Sequence, residues 1–138
     1  MKKKIDIIVE ARMSSKRLPS KVMLNAVGKP LLGLMIERLK KINFVDNIII
    51  ATTTNKIDDK IVNLAINNSV IFFRGSENDV LGRVVNASKK NHTDIIVQIT
   101  GDNPLVDRKI SEEIIKFYIK NQDVYDFVSN DVGCYNKV

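Results

Sequence analysis

Short apolar runs alternate along the chain with segments whose apolar residues recur every three or four positions. Ile5-Asp6-Ile7-Ile8-Val9, Ile48-Ile49-Ile50-Ala51, Val70-Ile71-Phe72-Phe73 and Ile95-Ile96-Val97-Gln98-Ile99 are bounded, strand-length runs and predict four buried strands. Leu32, Met35, Ile36 and Leu39 follow i, i+3, i+4, i+7, the stripe of a first amphipathic helix. Ile57, Ile61, Leu64 and Ala65 form a second stripe, and Leu81, Val84, Val85 and Ser88 a third. Ile110, Ile114, Phe117 and Tyr118 predict the inward face of a fourth helix over residues 108–120. Tyr125-Asp126-Phe127-Val128-Ser129 reads as a fifth strand and Val22 to Leu24 as a short one, while residues 130–138 carry no period.

The punctuation agrees with this alternation. Pro30, after Gly28-Lys29, suits the first turn of the first helix. Ser76 is placed to cap the third helix with Asp79 near its positive end, and Asp107 to cap the fourth. Strands alternating with helices predict βαβ units and a mainly parallel sheet. Right-handed crossovers put helices on both faces, giving a three-layer α/β/α, Rossmann-like fold. The predicted strand order is 3-2-1-4, with the fifth strand at an edge or beside the fourth. In such sheets the ligand site lies beyond the carboxyl ends of the strands, near the point where the order reverses.

Composition narrows the function without naming it. A chain of 138 residues is the size of one α/β domain and can bury a core without disulfides. The single cysteine, Cys134, excludes an intramolecular disulfide and a multi-cysteine metal site, and fits a reducing, cytoplasmic setting. Lys2-Lys3-Lys4 is followed by an apolar run too short for a signal peptide, and no stretch approaches the ~20 apolar residues of a membrane span. A net charge of +6 admits a basic surface protein that binds nucleic acid. Aromatic residues are only 6% and tryptophan is absent, so a pocket for a small anion explains the charge at least as well.

The charge is concentrated directly after the first strand. Arg12, Lys16, Arg17 and Lys21 lie within ten residues that contain no acid, interleaved with Ser14 and Ser15 and stiffened by Pro19. Guanidinium forks, ammonium groups, hydroxyls and backbone N–H groups converging on one anion are what phosphate recognition requires. A solvated basic loop has the same composition; the position after the first strand favours a triphosphate site. The second chemical stretch is Thr100-Gly101-Asp102-Asn103-Pro104, at the end of the fourth strand. A lone aspartate there often serves a turn. If strands one and four are neighbours, Asp102 faces the basic loop, and a hard carboxylate opposite a triphosphate is one way of holding Mg²⁺. Arg83 stands four residues after Asp79 and predicts an intrahelical ion pair. His92 lies in a polar turn and is expected in solvent. Ser14 and Ser15 have no neighbouring base to make either a nucleophile.

Four stretches in order resemble a known family. Ala11-Arg12-x-x-Ser15-x-Arg17-Leu18-Pro19-x-Lys21 with Gly28-Lys29-Pro30-Leu31 is similar to the opening of the acylneuraminate and 3-deoxy-manno-octulosonate cytidylyltransferases. Ile50-Ala51-Thr52-Thr53-Thr54-Asn55, the run Phe73-Arg74-Gly75-Ser76-Glu77-Asn78-Asp79-Val80-Leu81-Gly82-Arg83, and Thr100-Gly101-Asp102-Asn103-Pro104-Leu105-Val106-Asp107 are closer to the spore-coat polysaccharide cytidylyltransferase-like branch. The resemblance implies a nucleotidyltransferase fold, CTP and a sugar or sugar-acid acceptor as substrates, Mg²⁺, and release of pyrophosphate in surface polysaccharide biosynthesis. It assigns Arg12 and Lys21 to the CTP phosphates, with Ala11, Ser14, Ser15 and Arg17 completing the loop. Arg74 falls near base and ribose, Thr100 and Gly101 beside the nucleotide, and Asp102 on the metal. Thr100 departs from the glutamine that those enzymes carry there, and its hydroxyl reaches less far towards cytosine. The resemblance also implies a homodimer and about a hundred further residues carrying a second metal aspartate. The chain is therefore expected to be a single nucleotide-binding domain, the N-terminal part of a longer enzyme, and a binding module without turnover is the competing reading.

Overall fold

β1 (Ile5–Glu10) is the central strand of the fold, and its composition explains why. Ile7, Ile8 and Val9 are fully buried and Ile5 nearly so, the pattern of a strand covered on both faces. The computed structural model describes residues 2–130. β1 pairs in parallel with β4 (Asn47–Thr53) on one side and β6 (Ile95–Thr100) on the other, and β4 pairs in parallel with β5 (Ile71–Gly75). The sheet order β5-β4-β1-β6 is the predicted 3-2-1-4 order of the four main strands.

Helices cover both faces. α1 (Leu31–Leu39), α2 (Asp59–Asn67) and α4 (Arg108–Asn121) bury Leu32, Met35, Ile36, Leu39, Ile61, Ala65 and Ile115 against Ile7, Val9, Ile48 and Ile50. α3 (Val80–Lys90) lies on the opposite face, where Val84 and Ala87 meet Ile8, Ile49 and Ala51. Thus the α1 stripe faces inward as its period predicts.

Other stripes are shifted. Ile57 belongs to a 3₁₀ turn over Lys56–Asp58 and is half-exposed, because α2 begins only at Asp59. Leu81 and Phe117 point outward, as does Ile110, and the buried positions of α4 are Ile115 and Glu112. Glu112 turns inward because it accepts from the Asn43 amide at 2.8 Å and from Arg108 Nε at 2.8 Å. The α1–β4 connection would otherwise leave that amide without a partner.

Two predicted strands are absent. Lys21–Met23 is a 3₁₀ turn, since the Met23 and Leu24 amides donate back to Ser20 and Lys21. It leads into a small antiparallel hairpin, β2 (Asn25–Ala26) and β3 (Lys29–Pro30). The hairpin turns on Val27 and Gly28, both at positive φ, the requirement of the favoured two-residue turn. Pro30 stands just before α1 rather than within it. Residues 125–130 form no strand: the Val124 and Tyr125 amides are consumed by the Asn121 carbonyl at the end of α4. Asp79, not Ser76, caps α3 by accepting from Gly82 N at 2.8 Å, while Ser76 Oγ accepts from Asp79 N. Asp107 caps α4 as predicted. His92 is exposed, and Cys134 lies outside the described residues.

The amino ends of the strands are tied by carboxylates. Asp46 accepts from Ile5 N at 2.9 Å and Asp94 from Lys4 N at 2.7 Å. Buried Asp6 accepts from Asn47 Nδ2 and Thr93 Oγ1. The Ile5 amide bond holds the Asp46 carboxyl below its ordinary 3.8, and the Asn43 amide bond holds Glu112 below its ordinary 4.5. Depressed folded pKa values contribute stability that is present above the unfolded values and lost as pH falls through the folded ones. Thermal midpoints should therefore be flat above about pH 5.5 and fall as the medium is acidified below about pH 4. Asp46→Asn and Glu112→Gln should each flatten that acid limb in calorimetry.

Candidate functional site

The basic loop leaves β1 at the carboxyl edge of the sheet and is anchored at one buried residue. The Met13 amide donates to Asp58 Oδ1 at 2.7 Å, and the Met13 carbonyl accepts from the amides of Ser15 and Ser20, both at 2.9 Å. Asp58 is fully buried and its second oxygen accepts from Thr53 Oγ1 at the end of β4. Ala11 is buried at the base, its amide donating to Ala51 O. Ser15 Oγ accepts from the Leu18 amide, and Lys16 and Arg17 stand exposed with no ion pair among the described residues.

The loop straddles β1, and its remaining cations part to either side. Lys21 reaches the β6 side, where Nζ lies 2.6 Å from Asp102 Oδ2. Gly101 makes this approach possible: its amide donates to Glu10 O at 2.8 Å, and a Cβ there would fall 2.5 Å from that same oxygen. Lys21 first, then the Thr100 hydroxyl, holds the Asp102 carboxyl below its ordinary 3.8, so Asp102 is ionised at neutral pH. Thr100, Gly101, Asp102 and Lys21 therefore form one group.

Arg12 turns towards the β5 side. Its Nη1 lies 3.7 Å from the Glu77 carboxylate and 3.5 Å from the Glu77 carbonyl. Glu77 also accepts from Ser14 Oγ and, at 2.6 Å, from Asn55 Nδ2. These two hydrogen bonds hold its carboxyl below its ordinary 4.5. Arg74 spends its guanidinium on the chain itself, donating to Thr53 O, Asn55 O and Asp59 Oδ1 at 2.6–2.8 Å. It braces the exit of β4 instead of standing free in the cleft.

Arg83 makes no ion pair with Asp79. It is buried, donates from Nη1 to Ser76 O at 2.5 Å, and its Nε has no partner. Burial lowers its pKa, opposed by the charges of Glu10, Asp58 and Glu77. Sequence reasoning reached the cations of this site but passed over Asp58, Glu77 and Asn55. For Glu77 the available signal was the rule that clustered cations need an acidic partner, which here arrives from a distant segment. Replacing Gly101 with Ala should force β1 and β6 apart beside Asp102 and cost about 1–3 kcal/mol, measurable by urea denaturation. Unchanged stability would mean that the strands yield freely there.

Residues 7–137 match the family described as cytidylyltransferase. The spore coat polysaccharide biosynthesis protein SpsF of Bacillus subtilis is 33% identical over 89% of this chain and 53% of its own length. The 3-deoxy-manno-octulosonate cytidylyltransferase of Francisella tularensis is 31% identical over 86% of this chain and 48% of its own. Among solved structures, a cytidylyltransferase from Leptospira borgpetersenii superposes with a TM-score of 0.84 at 43% identity, over 88% of this chain and 51% of that one. The chain thus spans about half the length of the relatives it matches. With the parallel sheet, the basic loop and the strand-end aspartate in their places, the chain belongs to the cytidylyltransferase family.

Proposed function

We propose that the chain binds CTP across the carboxyl ends of β1 and β6 and serves transfer of CMP to a hydroxyl of a sugar or sugar acid. The observation that carries this reading is the 2.6 Å contact between Lys21 and Asp102, which unites the two chemical stretches beside one strand end. Arg12 and Lys21 would take the phosphates, with Ser14, Ser15, Arg17 and the backbone at Ala11 and Gly101 completing the cradle. Arg74 fixes the Asn55 carbonyl, and Thr100 offers its hydroxyl beside the nucleotide. The name of the Bacillus subtilis relative supports a role in surface polysaccharide synthesis, and that of the Francisella tularensis relative a sugar-acid acceptor. Acids interleaved with the loop cations suit a small polyphosphate better than a nucleic-acid backbone.

Among the described residues no three His, Cys, Asp or Glu side chains converge on one point. Asp102 is nevertheless a hard, ionised and partly exposed oxygen donor. A single carboxylate shared with phosphate oxygens is the usual way of binding Mg²⁺, so the residues fit that ion. Bound at Asp102, it would supply charge neutralisation on the phosphate oxygens. In the reaction the acceptor hydroxyl gives up its proton to water, its oxygen bonds to the α-phosphorus, the bond from that phosphorus to the α,β-bridging oxygen breaks, and pyrophosphate leaves with that oxygen. The chain's own part is to orient the triphosphate and to neutralise the charge that develops on the leaving group.

Among the described residues no helix is long and apolar enough to cross a membrane. We place the activity in the cytoplasm, without a membrane partner, in a homodimer of the kind the resemblance implies, with residues 1–138 acting as one nucleotide-binding domain.

Calorimetric titration of CTP with Mg²⁺ tests the reading. Arg12→Ala and Lys21→Ala should each weaken binding about tenfold or more, the loss of a charge-assisted bond. Asp102→Asn should remove the magnesium-dependent part of the affinity. Affinity unchanged in all three variants would exclude this site. Pyrophosphate release with a panel of sugar acids then reports whether the bound nucleotide is turned over.

A further inference from the structure

Two of the donors assigned to phosphate, Arg12 and Ser14, already hold an anion supplied by the chain. Glu77 lies in the connection between β5 and α3, and its carboxylate collects three donors from two other segments. Ser14 Oγ and Arg12 come from the basic loop, and Asn55 Nδ2 comes from the exit of β4. Two carboxylate oxygens among a hydroxyl, an amide and a guanidinium reproduce the donor set of a phosphate oxygen pair. The backbone beneath is fixed separately, because buried Arg83 donates to the Ser76 carbonyl at 2.5 Å. The Glu77 side chain is one-third exposed. It can therefore leave by side-chain rotation while its backbone stays in place. If it leaves, Arg12 and Arg83 lose the negative charge that both feel.

We propose that Glu77 is a resident counter-anion, which keeps Ser14, Asn55 and Arg12 in register and which an incoming polyphosphate must displace in order to bind. This inference rests on the reading of the basic loop as a phosphate site. A tethered carboxylate competes at an effective concentration in the millimolar range or above. A weakly bound anion such as orthophosphate does not clear that threshold. A triphosphate, with several charges and contacts to both sides of β1, does. Glu77 would thus act in specificity, reserving the cradle for polyphosphates.

The probe is inorganic tripolyphosphate, titrated calorimetrically without Mg²⁺ into the 138-residue chain. Glu77→Gln removes the competing charge and should tighten binding about tenfold. The same change in an Arg12→Ala background should gain less than twofold, because the contested cation is gone. Unchanged or weaker binding by Glu77→Gln would overturn the proposal and make Glu77 a brace of the loop. If Arg12→Ala binds tripolyphosphate as the parent does, the phosphate-site reading itself fails, whatever Glu77 does. A measurement on the unsubstituted chain needs no folded variant. The ¹³C resonance of the Glu77 carboxyl should shift on saturation with tripolyphosphate, and its titration should rise towards the ordinary range. A resonance that stays put at saturation would show that Glu77 never leaves the cradle, and would overturn the proposal.

Discussion

The buried carboxylate of Asp58 is the constraint on which the site depends. It lies at the end of a 3₁₀ turn, out of contact with water, and receives the Met13 amide and the Thr53 hydroxyl. A charge in that position is costly unless its hydrogen bonds are complete and a cation is near. Each Asp58 oxygen accepts one hydrogen bond, and the Arg83 guanidinium feels its charge from the α3 side. Through Met13 the effect passes on: the Met13 carbonyl gathers the Ser15 and Ser20 amides, so the residues between them close into a compact loop. A loop of cations would otherwise spread into solvent under its own repulsion.

The same logic governs charge across the carboxyl edge. A net charge of +6 describes the chain but not the site. There, Lys21 faces Asp102, Arg12 faces Glu77 and Arg74 faces Asp59. Asp102 and Glu77 stand 81 and 65 residues from their bases, and the sheet order brings them together, whereas Asp59 stands 15 residues before Arg74. Partly exposed pairs of this kind contribute little to stability. They hold flexible cations at defined places, so that the polyanion of the proposed function would bind with little further ordering.

The parts of this arrangement that were legible are those with a period or a fixed local chemistry. Consecutive isoleucines in β1 and β4 announced strands buried on both faces, and the i, i+3, i+4 stripe of α1 settled its orientation. The Gly101-Asp102 step was readable from its place at the end of a strand-length apolar run; the closeness of the Glu10 carbonyl, which leaves no room for a Cβ at Gly101, was not. What escaped reading was decided by pairing between distant segments. Glu112 occupies a buried position on α4 because an amide some seventy residues earlier lacks a partner. Arg83 turned from Asp79 to the Ser76 carbonyl because Asp79 was already spent as a cap. Residues 125–130 have the composition of a strand, yet the end of α4 takes up the amides of Val124 and Tyr125. Asp58 carried no local signal, since its partner Met13 lies 45 residues away.

The central place of β1 also has a kinetic consequence. Its partner on one side, β6, is supplied very late: Ile95, opposite Ile5, and Thr100, opposite Glu10, each lie 90 residues further along. Parallel pairing at such separation pays a large loop-closure entropy before any contact rewards it, which slows folding. During synthesis, β1, β4 and β5 with α1 and α2 can assemble first, while the edge of β1 that will receive β6 stays open. Lys21 and Asp102 meet only after that last strand has docked. The carboxyl edge where Lys21 meets Asp102 is therefore among the final features to form on the way in and, by the same topology, among the first to be lost when β6 detaches. Occupancy by a polyanion that bridges both sides of β1 would hold that closing strand in place, and would appear as slower unfolding more than as faster folding.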